Sequence, residues 1–219
     1  MQKRTLIFLL LAVSLLSCEE NDDLGDSGKV KIKAVDLNND PLSGAEVRIY
    51  SPEENQNGVI FEDSTNASGI CNVGKLLPDE YRYMVTARVD NRTYWEVRYF
   101  QVIAGERKTI EATPVAYSGT LTFTVTDMQD EIIEGIQVAL IPHFRYNDYT
   151  YEQMQEEAWY QGTTDSSGEV TFERVPANVK YSNEYSVFIY YDEDNFTYPY
   201  KGIYLSKGDH RQITLKVDL

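Results

Sequence analysis

The chain is written twice. Residues 29–51 align without a gap on residues 120–142. Lys-Val-Lys-Ile-Lys-Ala-Val-Asp (29–36) lies over Thr-Leu-Thr-Phe-Thr-Val-Thr-Asp (120–127). In both stretches apolar residues alternate with polar ones: Val30, Ile32 and Ala34 against Leu121, Phe123 and Val125. A period of two means a strand with one buried face. Pro41–Tyr50 over Ile132–Ile141 brings Gly44 onto Gly135 and opens a second alternating strand. Downstream, Ser64–Gly69 matches Thr163–Gly168, Leu77-Pro78 matches Val175-Pro176, and Tyr81 pairs with Tyr185. Gly105–Ile110 then matches Gly208–Ile213 and begins a last strand in each copy. Each copy therefore has to bury a core of its own.

About seven short strands per copy, separated by turn signals, is the pattern of a β-sandwich. Asn66 and Asp165 are placed for Asx turns, and Gly69 and Gly168 supply positive φ. Runs that favour helix are scarce, while Tyr occurs 17 times, which suits a pleated, half-buried surface. The expected fold is all-β: two tandem antiparallel seven-stranded sandwiches of immunoglobulin-like or transthyretin-like kind. The first spans residues 28–115 and the second 116–219, with a short helix in the second.

The order of signals in residues 29–115 resembles the transthyretin-like (carboxypeptidase regulatory-like) domain. The carrying residues are Asp36, Pro41-Leu42-Ser43-Gly44-Ala45-Glu46-Val47, Thr65-Asn66-Ala67-Ser68-Gly69 and Leu77-Pro78-Asp79-Glu80-Tyr81. The second copy keeps Gly135, Thr164-Asp165-Ser166-Ser167-Gly168 and Pro176, with Ile132 in place of Pro41. The glycine usual after Leu-Pro is absent. The resemblance implies a sandwich and no particular activity.

Residues 1–17 read as a secretory signal: Lys3 and Arg4, then an apolar run from Thr5 to Leu16 that is too short to span a bilayer. Leu15-Leu16-Ser17-Cys18 resembles the lipobox of bacterial lipoproteins, which implies cleavage before Cys18 and acylation of its thiol. Two acyl chains anchor where one is marginal. Residues 18–27 form an acidic tether. Its Glu19-Glu20-Asn21-Asp22-Asp23 resembles the export tag of some Gram-negative lipoproteins, implying the outer face of the outer membrane.

Net charge is −15, and nucleic acid is not an expected partner. Cys71 is a lone thiol in a strand and reads as a small buried hydrophobe. Asp36, Asn38 and Asp40 have the spacing of a calcium loop but lack its glycine and distal glutamate, so a hairpin turn is expected. His143 and His210 belong to no metal or triad motif. Lys29, Lys31 and Lys33 sit on the polar face of their strand. The strands Tyr81–Thr86 and Tyr185–Ile189 hold no carboxylate, so the intramolecular Lys–Asn cross-link of Gram-positive pilins is not expected. Asp63-Ser64-Thr65 resembles a short O-glycosylation motif. The expectation is no catalytic residue, no metal and no cofactor.

The copies differ most between Ile141 and Thr163, where the second carries extra residues. This insertion, 143–161, is rich in aromatic rings, and Thr150-x-x-Gln153 is a capping box for a helix from Tyr151 to Tyr160. Tyr146, Tyr149, Tyr151, Trp159 and Tyr160 are the candidate binding residues, for a glycan or a protein partner. The alternative is that the same rings pack the insertion onto its sandwich. The expected function is a non-enzymatic, lipid-anchored surface module, accessory to nutrient uptake. The alternative is a structural or adhesive surface subunit.

Overall fold

The computed structural model describes residues 24–51, 58–142, 151–177, 184–190 and 196–218. The first copy holds β1 (Gly28–Ala34), β2 (Glu46–Tyr50), β3 (Val59–Ser64), β4 (Ile70–Leu76), β5 (Glu80–Val89), β6 (Arg92–Gln101) and β7 (Arg107–Ala112). A 3-10 turn, Pro114–Ala116, leads to the second copy. There follow β8 (Ser118–Thr126), β9 (Gln137–Pro142), α1 (Tyr151–Glu157), β10 (Tyr160–Thr163), β11 (Glu169–Pro176), β12 (Tyr185–Tyr190), β13 (Phe196–Ile203) and β14 (His210–Lys216).

Each copy is a sandwich of a three-stranded and a four-stranded sheet. The orders are β4-β1-β7 with β3-β2-β5-β6, and β11-β8-β14 with β10-β9-β12-β13. The alternation read from sequence is the alternation of burial. Val30, Ile32 and Ala34 face Val47, Ile49, Tyr83 and Val85 in one core; Leu121, Phe123 and Val125 face Val138, Leu140, Val187 and Ile189 in the other.

Two points differ from the sequence reading. The sheets are not wholly antiparallel: β7 runs parallel to β1, and β14 parallel to β8. A period of two is the same for either direction, so the pattern carries no sign of it. The helix also stops at Glu157, because Trp159 and Tyr160 already belong to the approach to β10: the Trp159 N–H donates to the Leu140 carbonyl, and Tyr160 pairs with Leu140.

The turns are copied atom for atom. Asp36 Oδ1 accepts from the N–H groups of Asn38 and Asp40, and Asp127 Oδ1 from those of Gln129 and Glu131. Asp36, first of the candidate calcium ligands, is thus a turn acceptor, and Asn38 and Asp40 serve it through their N–H groups. The Thr65 hydroxyl accepts from Ala45 N–H and donates to the Leu42 carbonyl; the Thr164 hydroxyl accepts from Ile136 N–H and donates to the Ile133 carbonyl. Asn66 and Asp165 hold Asx turns over Ser68–Ile70 and Ser167–Glu169. Those hydrogen bonds, that of the Ser167 hydroxyl foremost, hold the Asp165 carboxyl below its ordinary pKa. Gly69 requires its lack of a side chain twice over: φ is 72°, and a Cβ would stand 2.5 Å from the Ala34 carbonyl oxygen.

Thr65 and Thr164 give the first prediction. Each is nearly buried and serves one N–H and one carbonyl at a point where strands change sheets. Thr65→Val and Thr164→Val should each lower stability by about 1–3 kcal/mol, the cost of a buried donor and acceptor left unpaired. Serine at either position should recover most of it. Chemical denaturation of the four variants checks this; valine variants as stable as the parent would contradict it.

Candidate functional site

Because β7 lies parallel to β1, the chain enters the first sandwich at one pole and leaves it at the other. The exit pole also carries the β5–β6 hairpin, whose tight turn places Asp90 at φ 49° and Asn91 at φ 61°. Asp and Asn tolerate this left-handed pair, which suits the twist of a two-residue hairpin. The entering pole of the second sandwich holds Pro142, Trp159 and Pro176, at the matching ends of β9, β10 and β11. These two poles meet, and their joint is the most chemically distinctive region among the described residues.

Its centre is Glu96. On β6 the alternate residues Tyr94, Glu96, Arg98 and Phe100 are in register with Ala87, Val85, Tyr83 and Tyr81 of β5, and of the four only Arg98 is exposed. Phe100 belongs to the core; Glu96, two positions before Arg98, is a fully buried carboxylate in the core phase. It accepts from the Tyr83 hydroxyl at 2.7 Å and from the Thr113 N–H, on the linker, at 2.5 Å. Arg98 Nε stands 3.0 Å from Glu96 Oε1, the oxygen that also takes the Tyr83 hydroxyl, and donates to the Tyr117 hydroxyl at 2.8 Å. A buried charge is tolerable only when paired and hydrogen-bonded in this way. Burial, reinforced by the bond to Glu96, pushes the Tyr83 hydroxyl far above its ordinary pKa, so it remains a donor.

A second set of contacts crosses the joint. The hydroxyls of Tyr94, from the first sandwich, and Tyr160, from the second, both donate to the Arg174 carbonyl, at 3.0 and 2.6 Å. Arg174 lies in a bulge of β11 with φ 54°, which turns that carbonyl out of the ladder. Arg92 donates to the Trp159 carbonyl at 3.1 Å and sets its guanidinium 3.9 Å above the Tyr160 ring, a cation–π contact. Beside these contacts is a cleft of about 500 Å³. Arg88, Asp90 and Arg92 line it from the first sandwich, and Glu156, Glu157 and Trp159 from the second.

Of the candidate binding residues read from sequence, Trp159 and Tyr160 have described side chains. Tyr160 is buried in the second core against Phe172, so its ring belongs to packing rather than to a stacking platform. Trp159 is half-buried, edge-on to Tyr185 at 6.3 Å, with one side toward the cleft. Tyr151 is the first residue of α1. Tyr146, Tyr149 and Cys18 lie outside the described residues. Burial, with the charge of Asp63 adding to it, raises the Cys71 thiol to about 11, which leaves it unreactive at neutral pH. Of the Asp63-Ser64-Thr65 motif, Thr65 is buried and its hydroxyl engaged, while Ser64 is exposed. Among the described residues no group of three His, Cys, Asp or Glu is placed to hold a metal ion. Glu96, Arg92 and Arg174 escaped the sequence reading. Glu96 carried a signal nonetheless, as a charge in the core phase of an alternating strand.

No family model matches the chain, and no curated protein does. Solved structures similar to it include bacterial pilins. The Bacillus anthracis TIE protein is 18% identical over 88% of this chain, with a TM-score of 0.36; the chain spans only 34% of it. The minor pilin GBS52 of Streptococcus agalactiae is 15% identical, with 87% of this chain and 95% of that one covered and a TM-score of 0.44. A streptococcal ancillary pilin is 13% identical, covering 87% and 62%, at 0.42.

Glu96→Ala should strand the Tyr83 hydroxyl, the Thr113 N–H and Arg98 at once. The expected loss is about 3 kcal/mol in the first sandwich, with faster hydrogen exchange at the Thr113 amide. Glu96→Gln retains an acceptor and should lose less. Equal exchange at Thr113 in the parent and the alanine variant would show that Glu96 does not hold the linker.

Proposed function

We propose that the chain is a non-catalytic structural or adhesive subunit of the cell surface: a two-sandwich arm, held by a lipid at one end, that carries its far pole away from the membrane. The observation that supports this most is the direction of the chain. The parallel pairs β1–β7 and β8–β14 send it through each sandwich from pole to pole. The two units then stand end to end, and the joint between them is tied at the linker, at Arg174 and at Trp159. A capture module needs a pocket more than it needs reach; the insertion here spends its Trp159 and Tyr160 on the joint. That favours the structural reading over service to a nutrient-uptake system.

The anchor is part of the proposal. The lipobox-like Leu15–Cys18 points to acylation at Cys18, and the acidic residues 18–27 to display on the outer face of a Gram-negative outer membrane. No helix among the described residues is long and apolar enough to cross a membrane. On this reading Cys18→Ala should leave the chain in the detergent-free phase on partitioning. An epitope tag placed after Leu219 should bind antibody on intact cells carrying the parent protein. A Cys18→Ala chain that still partitions with detergent would overturn the anchor. A tag reached only after the outer membrane is opened would overturn surface display.

A further inference from the structure

The net charge of −15 conceals a basic face. On β1, Lys29, Lys31 and Lys33 all point away from the core. Register brings further cations beside them: Lys29 is flanked by Lys75 of β4 on one side and Arg107 of β7 on the other. Lys31 lies between Asn72 and Thr109, and Lys33 between Ile70 and Glu111, with which it forms an ion pair at 3.1 Å. The outward side of the β4-β1-β7 sheet therefore presents five cations and the single carboxylate of Glu111, with Asp26 and Glu106 beside the turns at its lower end. A row of cations that spans three strands of one sheet calls for a reason.

The second copy shows that the fold does not supply one. The corresponding face of β11-β8-β14 presents Thr120, Thr122 and Thr124 in place of the lysines, with Thr171, Gln212 and Glu169 around them. There the Thr122 and Thr171 hydroxyls bond to each other at 2.9 Å and Gln212 donates to Glu169 at 3.0 Å. The same sheet is closed there without a row of cations.

We propose that the outward face of β4-β1-β7 binds an acidic polysaccharide, whose carboxylates lie along the column Lys29, Lys31, Lys33 and reach sideways to Lys75 and Arg107. The column is roughly 13 Å long at about 3.3 Å per residue, and it follows the flank of the arm rather than its pole. A linear polymer can track such a flank, whereas a bilayer at the pole where the chain enters faces another way. The face carries no aromatic ring on which a base could stack, which argues against single-stranded nucleic acid. The rest of the acidic chain does not forbid the contact, since at physiological salt charges beyond about 8 Å are largely screened. The inference goes beyond the arm and rests on the anchored arm only in setting a bilayer aside.

The test uses the mature chain from residue 18, with Ser in place of Cys18. Its probes are polygalacturonate, single-stranded DNA and vesicles of phosphatidylglycerol in phosphatidylcholine. Polygalacturonate should bind, more weakly as salt rises, and the other two should bind far less. The triple change K31Q/K75Q/R107Q should weaken polygalacturonate binding roughly tenfold, as expected for three exposed charge contacts. Its Tm should stay close to the parent's, because all three side chains are exposed. The matched change K207Q/R211Q/K216Q, on exposed cations of the second copy, should leave binding as it was. Equal losses from both triples, no binding of polygalacturonate, or preference for DNA or vesicles would each overturn the proposal.

Discussion

In each sandwich the last strand lies beside the first and runs the same way. Most other features follow from that pairing. A last strand antiparallel to the first would return the chain to the pole where it entered, and the next copy would hang beside the first. The parallel strand instead delivers Ala112 and Lys216 to the far pole, next to Ala34 and Thr126. A short linker then suffices to stack a second sandwich on the first. The parallel pair is also what puts β7 on the flank of β1, where Arg107 completes a row of cations that no single strand could make.

The two copies share a fold and differ where they meet. What is common is the apparatus of the turns, Asp36 with Asp127 and Thr65 with Thr164, which bends the chain between sheets in the same way each time. What is private to the joint is the buried Glu96 of β6, the Arg174 carbonyl of β11 that accepts from two tyrosine hydroxyls, and the insertion that brings Trp159 and Tyr160 to Arg92. The repeat thus makes the units, and departures from the repeat make the assembly. Such a joint needs buried polar groups because its role is to fix one orientation, and hydrogen bonds are directional where apolar contact is not.

Much of this was legible in the sequence, for reasons that differ by residue. The strands and cores could be read because Val30, Ile32 and Ala34 recur as Leu121, Phe123 and Val125, and two statements of one pattern check each other. The turns could be read from Asn66, Asp165 and the glycines. Strand direction could not, since a pleat has the same period either way. The aromatic insertion was ambiguous: a ring that caps a core and a ring that waits for a ligand have the same letter. Tyr160 turned out to cap the second core, and only its place opposite Leu140 decides that. Glu96 was visible as a violation, a carboxylate where alternation demands an apolar residue. The basic face was visible as a column of lysines, but its width depended on register with β4 and β7.

The central claim is that the joint holds two sandwiches end to end in one orientation. Spin labels at position 37, on an exposed turn of the first sandwich, and at position 128, on the matching turn of the second, report it directly. With Ser in place of Cys18, the remaining Cys71 is buried and does not compete for the label. Pulsed dipolar spectroscopy of the doubly labelled mature chain should give one narrow distance distribution, which broadens when Glu96 is replaced by Ala. A broad distribution in the parent, or one indifferent to Glu96, would mean that the two sandwiches move independently and that no rigid arm exists.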